Sequence, residues 1–96
     1  MTVIDNQAKS RFELAVEGHV ATAAYRREGD RVLFTHTVVP KELEGRGIGS
    51  ALVKGALDMV RNQGLKVVPL CPFVERYISK HPDLQDLLAS PAPRRV

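Results

Sequence analysis

The sequence predicts an α+β domain in an α/β-like layered arrangement. An antiparallel meander of strands is followed by a helix, a strand and a second helix. Three observations carry this reading. Apolar and polar residues alternate between Arg11 and Val39, interrupted by two short turns, which is the pattern of half-buried strands. Ile48, Leu52, Ala56 and Val60 recur at intervals of four, which stacks them on one face of a helix. The run from Lys66 to Leu70 then leads into Cys71-Pro72, a strand followed by a proline-opened helix.

Residues 1–10 show no period and are expected to form a loose lead before a single domain at residues 11–89. From Arg11 to Glu17, Phe12, Leu14 and Val16 share one strand face, and Gly18-His19 offers a turn. Val20 to Arg27 sets Val20, Thr22 and Ala24 against Ala21, Ala23 and Tyr25, the two faces of a second strand. Glu28-Gly29-Asp30 turns the chain into a third strand, Arg31 to Val39, rich in β-branched and aromatic residues. After Pro40 the helix over Ile48 to Val60 runs for about four turns, and Gly64 stands where a helix commonly ends. Lys66 to Leu70 reads as a fourth strand. Pro69 has no N–H to give a ladder, which places this strand at an edge or splayed from its neighbour. The second helix is expected to turn Phe73, Tyr77 and Ile78 inward until Pro82 interrupts it, with Asp83 to Leu88 as a last short helix. From Ser90, two prolines and two arginines read as a disordered tail.

Composition narrows the function classes. The chain has 96 residues, 44% hydrophobic and 26% charged, which is ordinary for one globular domain. No window approaches the roughly 20 apolar residues of a membrane span, and Met1 to Asn6 lacks the basic and apolar regions of a signal peptide. One cysteine forms no internal disulfide and fits a reducing, cytoplasmic compartment. With three scattered histidines it also offers no zinc-ligand pair, so no metal is expected. The net charge of +3 is dispersed rather than blocked. Five aromatic residues, Tyr and Phe only, argue against a nucleic-acid platform, while the positive balance suits anionic ligands such as phosphates.

The most informative segment is Glu44-Gly45-Arg46-Gly47-Ile48-Gly49-Ser50, between the third strand and the helix. Glycines let the backbone approach a ligand closely and adopt positive φ. The helix beginning there presents unpaired N–H groups and the positive end of its dipole, which together bind phosphate. A plain tight turn serving helix–sheet packing gives the same glycines. Two phosphate motifs fail: the glycines alternate rather than following the dinucleotide spacing, and no Gly-Lys-Ser/Thr run is present.

The segment does resemble the pyrophosphate loop of the GNAT superfamily of acetyl-CoA-dependent N-acetyltransferases, (Gln/Arg)-x-x-Gly-x-(Gly/Ala). Gly47-Ile48-Gly49 matches its second half, and Glu44 stands where the family has Gln or Arg. The likeness spans roughly residues 11 to 81. Within the superfamily the chain is similar to a small single-domain subgroup of fewer than a hundred residues. Phe34-Thr35-His36-Thr37-Val38-Val39-Pro40, Gly45 to Val53, and Val67 to Val74 carry this likeness. The resemblance implies a GNAT-type mixed sheet and an N-acetyltransferase that moves an acetyl group to an amine of a small molecule or protein. It implies acetyl-CoA as co-substrate and an open acceptor site. The cofactor would contact Thr37, Val38, Val39, Gly45, Arg46, Gly47, Ile48, Gly49 and Ser50, with Arg46 supplying positive charge. A non-catalytic CoA- or acyl-CoA-binding module is the alternative. The chain is expected to be a monomer, or a weak homodimer through the fourth-strand edge.

Three side chains are candidates for chemistry. Cys71 before Pro72 reads as a helix N-cap, where backbone N–H groups and the dipole favour the thiolate; inert packing is the other reading. The subgroup places this cysteine beside the thioester. His36 lies on the strand whose end would run beside the pantetheine, where a neutral imidazole would deprotonate an incoming ammonium; a strand histidine with a backbone partner is the alternative. Tyr77 follows Cys71 by six residues, near where family members often carry a tyrosine that protonates the departing thiolate, though core packing also accounts for it. His19 and His81 receive no role.

Overall fold

Two tight turns build most of the sheet. In the computed structural model, which describes residues 2–89, β2 (Arg11–Val16) and β3 (His19–Glu28) are antiparallel. Glu17 and Gly18 join them with positive φ at both positions, 50° and 82°, the twist a two-residue hairpin requires. The turn thus lies one residue earlier than expected, and His19 opens β3. β3 in turn runs antiparallel to β4 (Arg31–Val38).

The lead expected before residue 11 carries a strand instead. β1 (Val3–Asn6) pairs antiparallel with β2. Four residues are too few to display a period, and what holds them is tertiary. Tyr25 Oη donates to Asp5 Oδ1 at 2.6 Å, and burial together with that carboxylate pushes the Tyr25 phenol up to about 12. Val3 lies directly over Gly55, where any Cβ would collide with it.

After a 3-10 turn at Lys41–Leu43, α1 (Ile48–Asn62) crosses over to β5 (Lys66–Pro69). β5 lies parallel to β4 at one edge of a five-stranded sheet of order β1-β2-β3-β4-β5. The edge position agrees with the missing N–H of Pro69. α2 (Pro72–Ser79) starts as expected, with Cys71 at the N-cap and Pro72 in the first turn. A further 3-10 segment, Pro82–Leu87, follows. Of the residues expected to face inward on α2, Ile78 does so, but Val74 takes the place of Phe73 and Tyr77. Val74 and Ile78 are buried, whereas Phe73 is 36% exposed and Tyr77 half-buried. The aliphatic pair, four residues apart, fills the core, and the aromatic pair is rotated one position onto the rim.

Phe12, Leu14, Ala23, Tyr25, Phe34 and Val67 from the sheet join Leu52, Val53, Ala56 and Val60 of α1 and Val74 and Ile78 of α2 in one core. Phe12 lies 5.1 Å from Tyr25 and 5.8 Å from Phe34, centroid to centroid. Burying a ring like Phe34 contributes on the order of 2–3 kcal/mol. Among the described residues no helix is long and apolar enough to cross a membrane. The tail expected from Ser90 lies outside the described residues.

Candidate functional site

The chain leaves β4 through Val39 and Pro40, and buried Leu43 pins the following turn to the core. Gly45 and Gly47 then take left-handed φ of 79° and 72°. A Cβ at either would meet nothing within 4 Å, so conformation rather than space calls for glycine there. Gly49 is the opposite case: a Cβ would sit 2.9 Å from Phe73 Cζ and 3.4 Å from Val39 Cγ2. Gly47 caps α1 without any side-chain hydrogen bond. Ala51 N–H makes a bond back to the Gly47 carbonyl, at 3.0 Å. The N–H groups of Ile48, Gly49 and Ser50 therefore have no helical acceptor, and the positive end of the helix dipole coincides with them. They border a concavity of about 300 Å³ lined by Val39, Glu44, Gly45, Gly47, Gly49, Ser50 and Phe73 among others.

The charge on Arg46 is not free for that concavity as expected. Its guanidinium holds Glu17 through two bonds, Nη1 to Oε1 at 3.0 Å and Nη2 to Oε2 at 2.9 Å. The pair ties the loop to the β2–β3 turn, and the guanidinium holds the Glu17 carboxyl below its ordinary range. Glu44 does line the concavity and is exposed.

A second feature adjoins the first. β5 pairs with β4 only from Arg31 to Phe34. Cys71 N–H then donates to the Phe34 carbonyl at 2.9 Å, and the chain turns away into α2. His36, Thr37 and Val38 are left paired to β3 on one side only. At the same place β4 bulges: Ala24 pairs with His36 and Tyr25 with Phe34, leaving Thr35 without a partner. Bulges re-aim side chains and recur beside active sites.

Cys71, 4% exposed, marks the apex where the two strands part. It makes no side-chain cap bond to α2, contrary to expectation; instead its Sγ lies 3.4 Å from Thr37 Oγ1. Wide sulfur and a β-type cap geometry favour that lateral contact. His36 is exposed and does not touch the thiol. Thr35 Oγ1 donates to the Ala24 carbonyl at 3.3 Å, so its oxygen accepts from His36 Nδ1 at 3.2 Å. That arrangement places the imidazole proton on Nδ1 and leaves Nε2 as a base. Tyr77 stands apart from both, its ring stacked on His81 at 4.1 Å, and burial raises its phenol above the ordinary value.

The fold therefore gathers Val39 and the glycine loop in one concavity and sets Thr37 with Cys71 at the strand fork. It leaves His36 on the open face and Tyr77 elsewhere. Glu17, Thr35 and Phe73 are the participants sequence reasoning missed. Glu17 stands 29 residues from Arg46, and no local pattern announces such a pair.

Comparison with known proteins gives a consistent picture. Residues 11–87 match the family described as GCN5-related N-acetyl-transferase. Protein NATD1 of Gallus gallus is 36% identical over 63 residues, which cover 65% of this chain and 57% of that protein. The Homo sapiens protein of the same name matches at 36% over 63 residues, 65% of this chain and 56% of its own. The matched region thus spans little more than half the length of these relatives. Protein NATD1 of Danio rerio matches more broadly, 27% identical over 91% of this chain and 82% of its own. In structure, a GCN5-like protein from Staphylococcus aureus, solved by NMR, superimposes with a TM-score of 0.71 at 24% identity, covering 94% of this chain and 89% of that one. That likeness shows the shared α+β fold.

Proposed function

The chain belongs to the GCN5-related N-acetyltransferase family, and from that premise we propose that it transfers an acetyl group from acetyl-CoA to an amine acceptor. One observation carries the reading: the uncapped start of α1 lies beside the fork where β4 and β5 part. The diphosphate of acetyl-CoA would be held by backbone N–H groups from Gly47 to Ser50. Its pantetheine amides would pair with the unpartnered edge of β4 near Thr37 to Val39, as an added strand does. The thioester then reaches the apex at Cys71 and Thr37.

An ammonium must lose a proton before it attacks the thioester carbonyl, and Nε2 of His36 is the lone pair on the open side of β4. The new N–C bond forms as the C–S bond breaks, and CoA leaves as a thiolate that takes up a proton. We assign Cys71 to the same site. Its thiol either gives up its proton and receives the acetyl group first, expelling the CoA thiolate, which takes up a proton, and passes the acetyl group to the amine, or it gives its proton to the departing CoA thiolate.

Calorimetry with acetyl-CoA tests the binding, and release of free CoA thiol with a panel of amines tests the transfer. Binding without thiol release for any amine would leave a CoA-binding module. Cys71→Ala is expected to bind acetyl-CoA normally and to lose about 100-fold in transfer rate. A mass gain of one acetyl on the Cys71 peptide, without acceptor, identifies the covalent route. Transfer at the wild-type rate in the alanine variant would return Cys71 to packing.

A further inference from the structure

The fork between β4 and β5 carries two large apolar side chains in the open. Val38, at the end of β4, is 57% exposed, and Leu70, between β5 and Cys71, is 55% exposed. We propose that the acceptor is a weakly basic amine on an apolar body, the α-amine of an amino-acid amide or peptide that begins with an apolar residue, and not an alkylammonium of the lysine type. The inference rests on the acetyl-CoA reading and names the acceptor class of that same site.

Geometry is the first argument. His36 and Val38 oppose Ala24 and Thr22 of β3. Those two alternate with buried Ala21, Ala23 and Tyr25, which join the core with α1, so His36 and Val38 share the opposite, open face of the sheet. A body seated against Val38 and Leu70 therefore holds its amine between Nε2 of His36 and the apex at Cys71. Taking such exposed apolar surface out of water favours binding.

Charge is the second. Among the described residues no carboxylate is free at the fork to hold an ammonium. Glu13 lies on the same sheet face but two strands away, held by Arg11 Nε at 2.7 Å and Asn6 Nδ2 at 3.0 Å. Glu28 pairs with Arg26 at the other end of β3. Glu75 lines a cavity with Arg31 at the outer edge of β5, and Glu44 borders the glycine loop. A cation arriving at this apolar rim would lose hydration without gaining a partner, which costs free energy. A neutral amine meets no such cost. At pH 7.5 roughly a third of an α-amine is neutral, against about a tenth of a per cent of lysine side chains. The neutral amine attacks the thioester carbonyl, and the N–C bond forms as the C–S bond breaks. The CoA thiolate takes up a proton, and the nitrogen passes its surplus proton to His36 Nε2.

The test measures kcat/KM by thiol release from acetyl-CoA with phenylalanine amide, glycine amide and Nα-acetyl-lysine amide. Phenylalanine amide is expected to exceed the lysine derivative by on the order of 200-fold at pH 7.5 and by only about 25-fold at pH 9, as the neutral fractions converge. It should exceed glycine amide about tenfold, the effect of a partly buried ring. Leu70→Ser should lower the phenylalanine-to-glycine ratio about threefold or more. Ile4→Ser should keep it, because Ile4, 52% exposed on the same face, stands three strands from Val38, about 14 Å. Circular dichroism verifies the fold of both variants. Equal rates for phenylalanine amide and either other amine, or a lysine disadvantage that does not change with pH, overturn the inference and leave the acetyl-CoA reading intact. So does release with the lysine derivative alone. A ratio retained in Leu70→Ser, or lost equally in Ile4→Ser, overturns it too. Thiol release with no amine overturns the transfer reading and this inference together.

Discussion

The two ends of α1 are finished in opposite ways. At its C-terminal end the Gln63 and Gly64 N–H groups bond back into the last turn, and Gly64 takes a left-handed φ of 72°. Arg61 grips Asp86 through two bonds of 2.8 and 3.0 Å and reaches the Asp83 carbonyl, while Lys66 Nζ donates to the Asp86 carbonyl. At the N-terminal end Gly47 contributes no side chain, and the nearest guanidinium is spent on Glu17. One helix thus has one end closed by its own protein and one end left for something else. A helix needs its termini satisfied; leaving one open reserves its donors for an anion.

The sharpest way to break this contrast is to close the open end. Gly47→Asp places a carboxylate against the donors of α1, and the site has room for the side chain. Acetyl-CoA binding is expected to fall by about 100-fold or more. Thermal stability should stay within a few degrees, because aspartate is a favoured cap and tolerates left-handed φ better than most residues. Full affinity in a folded variant would remove the loop from binding.

The next largest effect lies mid-helix. At Gly55 an added Cβ would approach Val3 Cβ to 2.8 Å and collide with its methyl groups. Gly55→Ala gains about 1 kcal/mol of helix propensity against about 1–3 kcal/mol of overpacking. The melting temperature should fall, by roughly 5 °C if the net loss is near 1 kcal/mol. A rise instead would show that β1 yields readily.

At the closed end, Arg61→Ala should lower the melting temperature by only about 2–4 °C and leave acetyl-CoA affinity unchanged, since surface pairs contribute little. The Arg61 guanidinium holds the Asp86 carboxyl below its ordinary range. A carboxyl depressed on folding stabilises above its unfolded pKa and loses that contribution as pH falls through the folded one. The difference between variant and wild type should therefore persist at neutral pH and shrink below about pH 4. Melting curves across that window check it. The smallest effect is expected from Glu44→Gln, which removes a like charge from the rim of the open end and should tighten CoA binding about two- to fivefold. Unchanged affinity would mean that Glu44 points away from the diphosphate.

How far the sequence foretold this contrast depends on the range of the contacts involved. The helix, its closing Gly64 and the glycine loop were legible because periodicity, capping and φ preference act within a few residues. β1 was not legible: its four residues are held by Gly55 and Tyr25, far away in the chain. The inward face of α2 was legible at Ile78 but not at Val74, because hydrophobicity alone does not say which of two adjacent apolar pairs wins the core. Val74 and Ile78 won, and the displaced Phe73 became the partner of Gly49. The loop was readable as a candidate site, but the commitment of Arg46 to Glu17 and the Thr35 bulge that orients His36 exist only after the strands have paired.

Backbone amide shifts of the ¹⁵N-labelled protein on titration with acetyl-CoA test the central claim most directly, because they view both ends of α1 at once. The largest shifts are expected at the amides from Gly45 to Ser50 and from Thr35 to Val39, with Gln63 to Lys66 unmoved. Shifts concentrated at the closed end or along β1, with the glycine loop silent, would contradict the account.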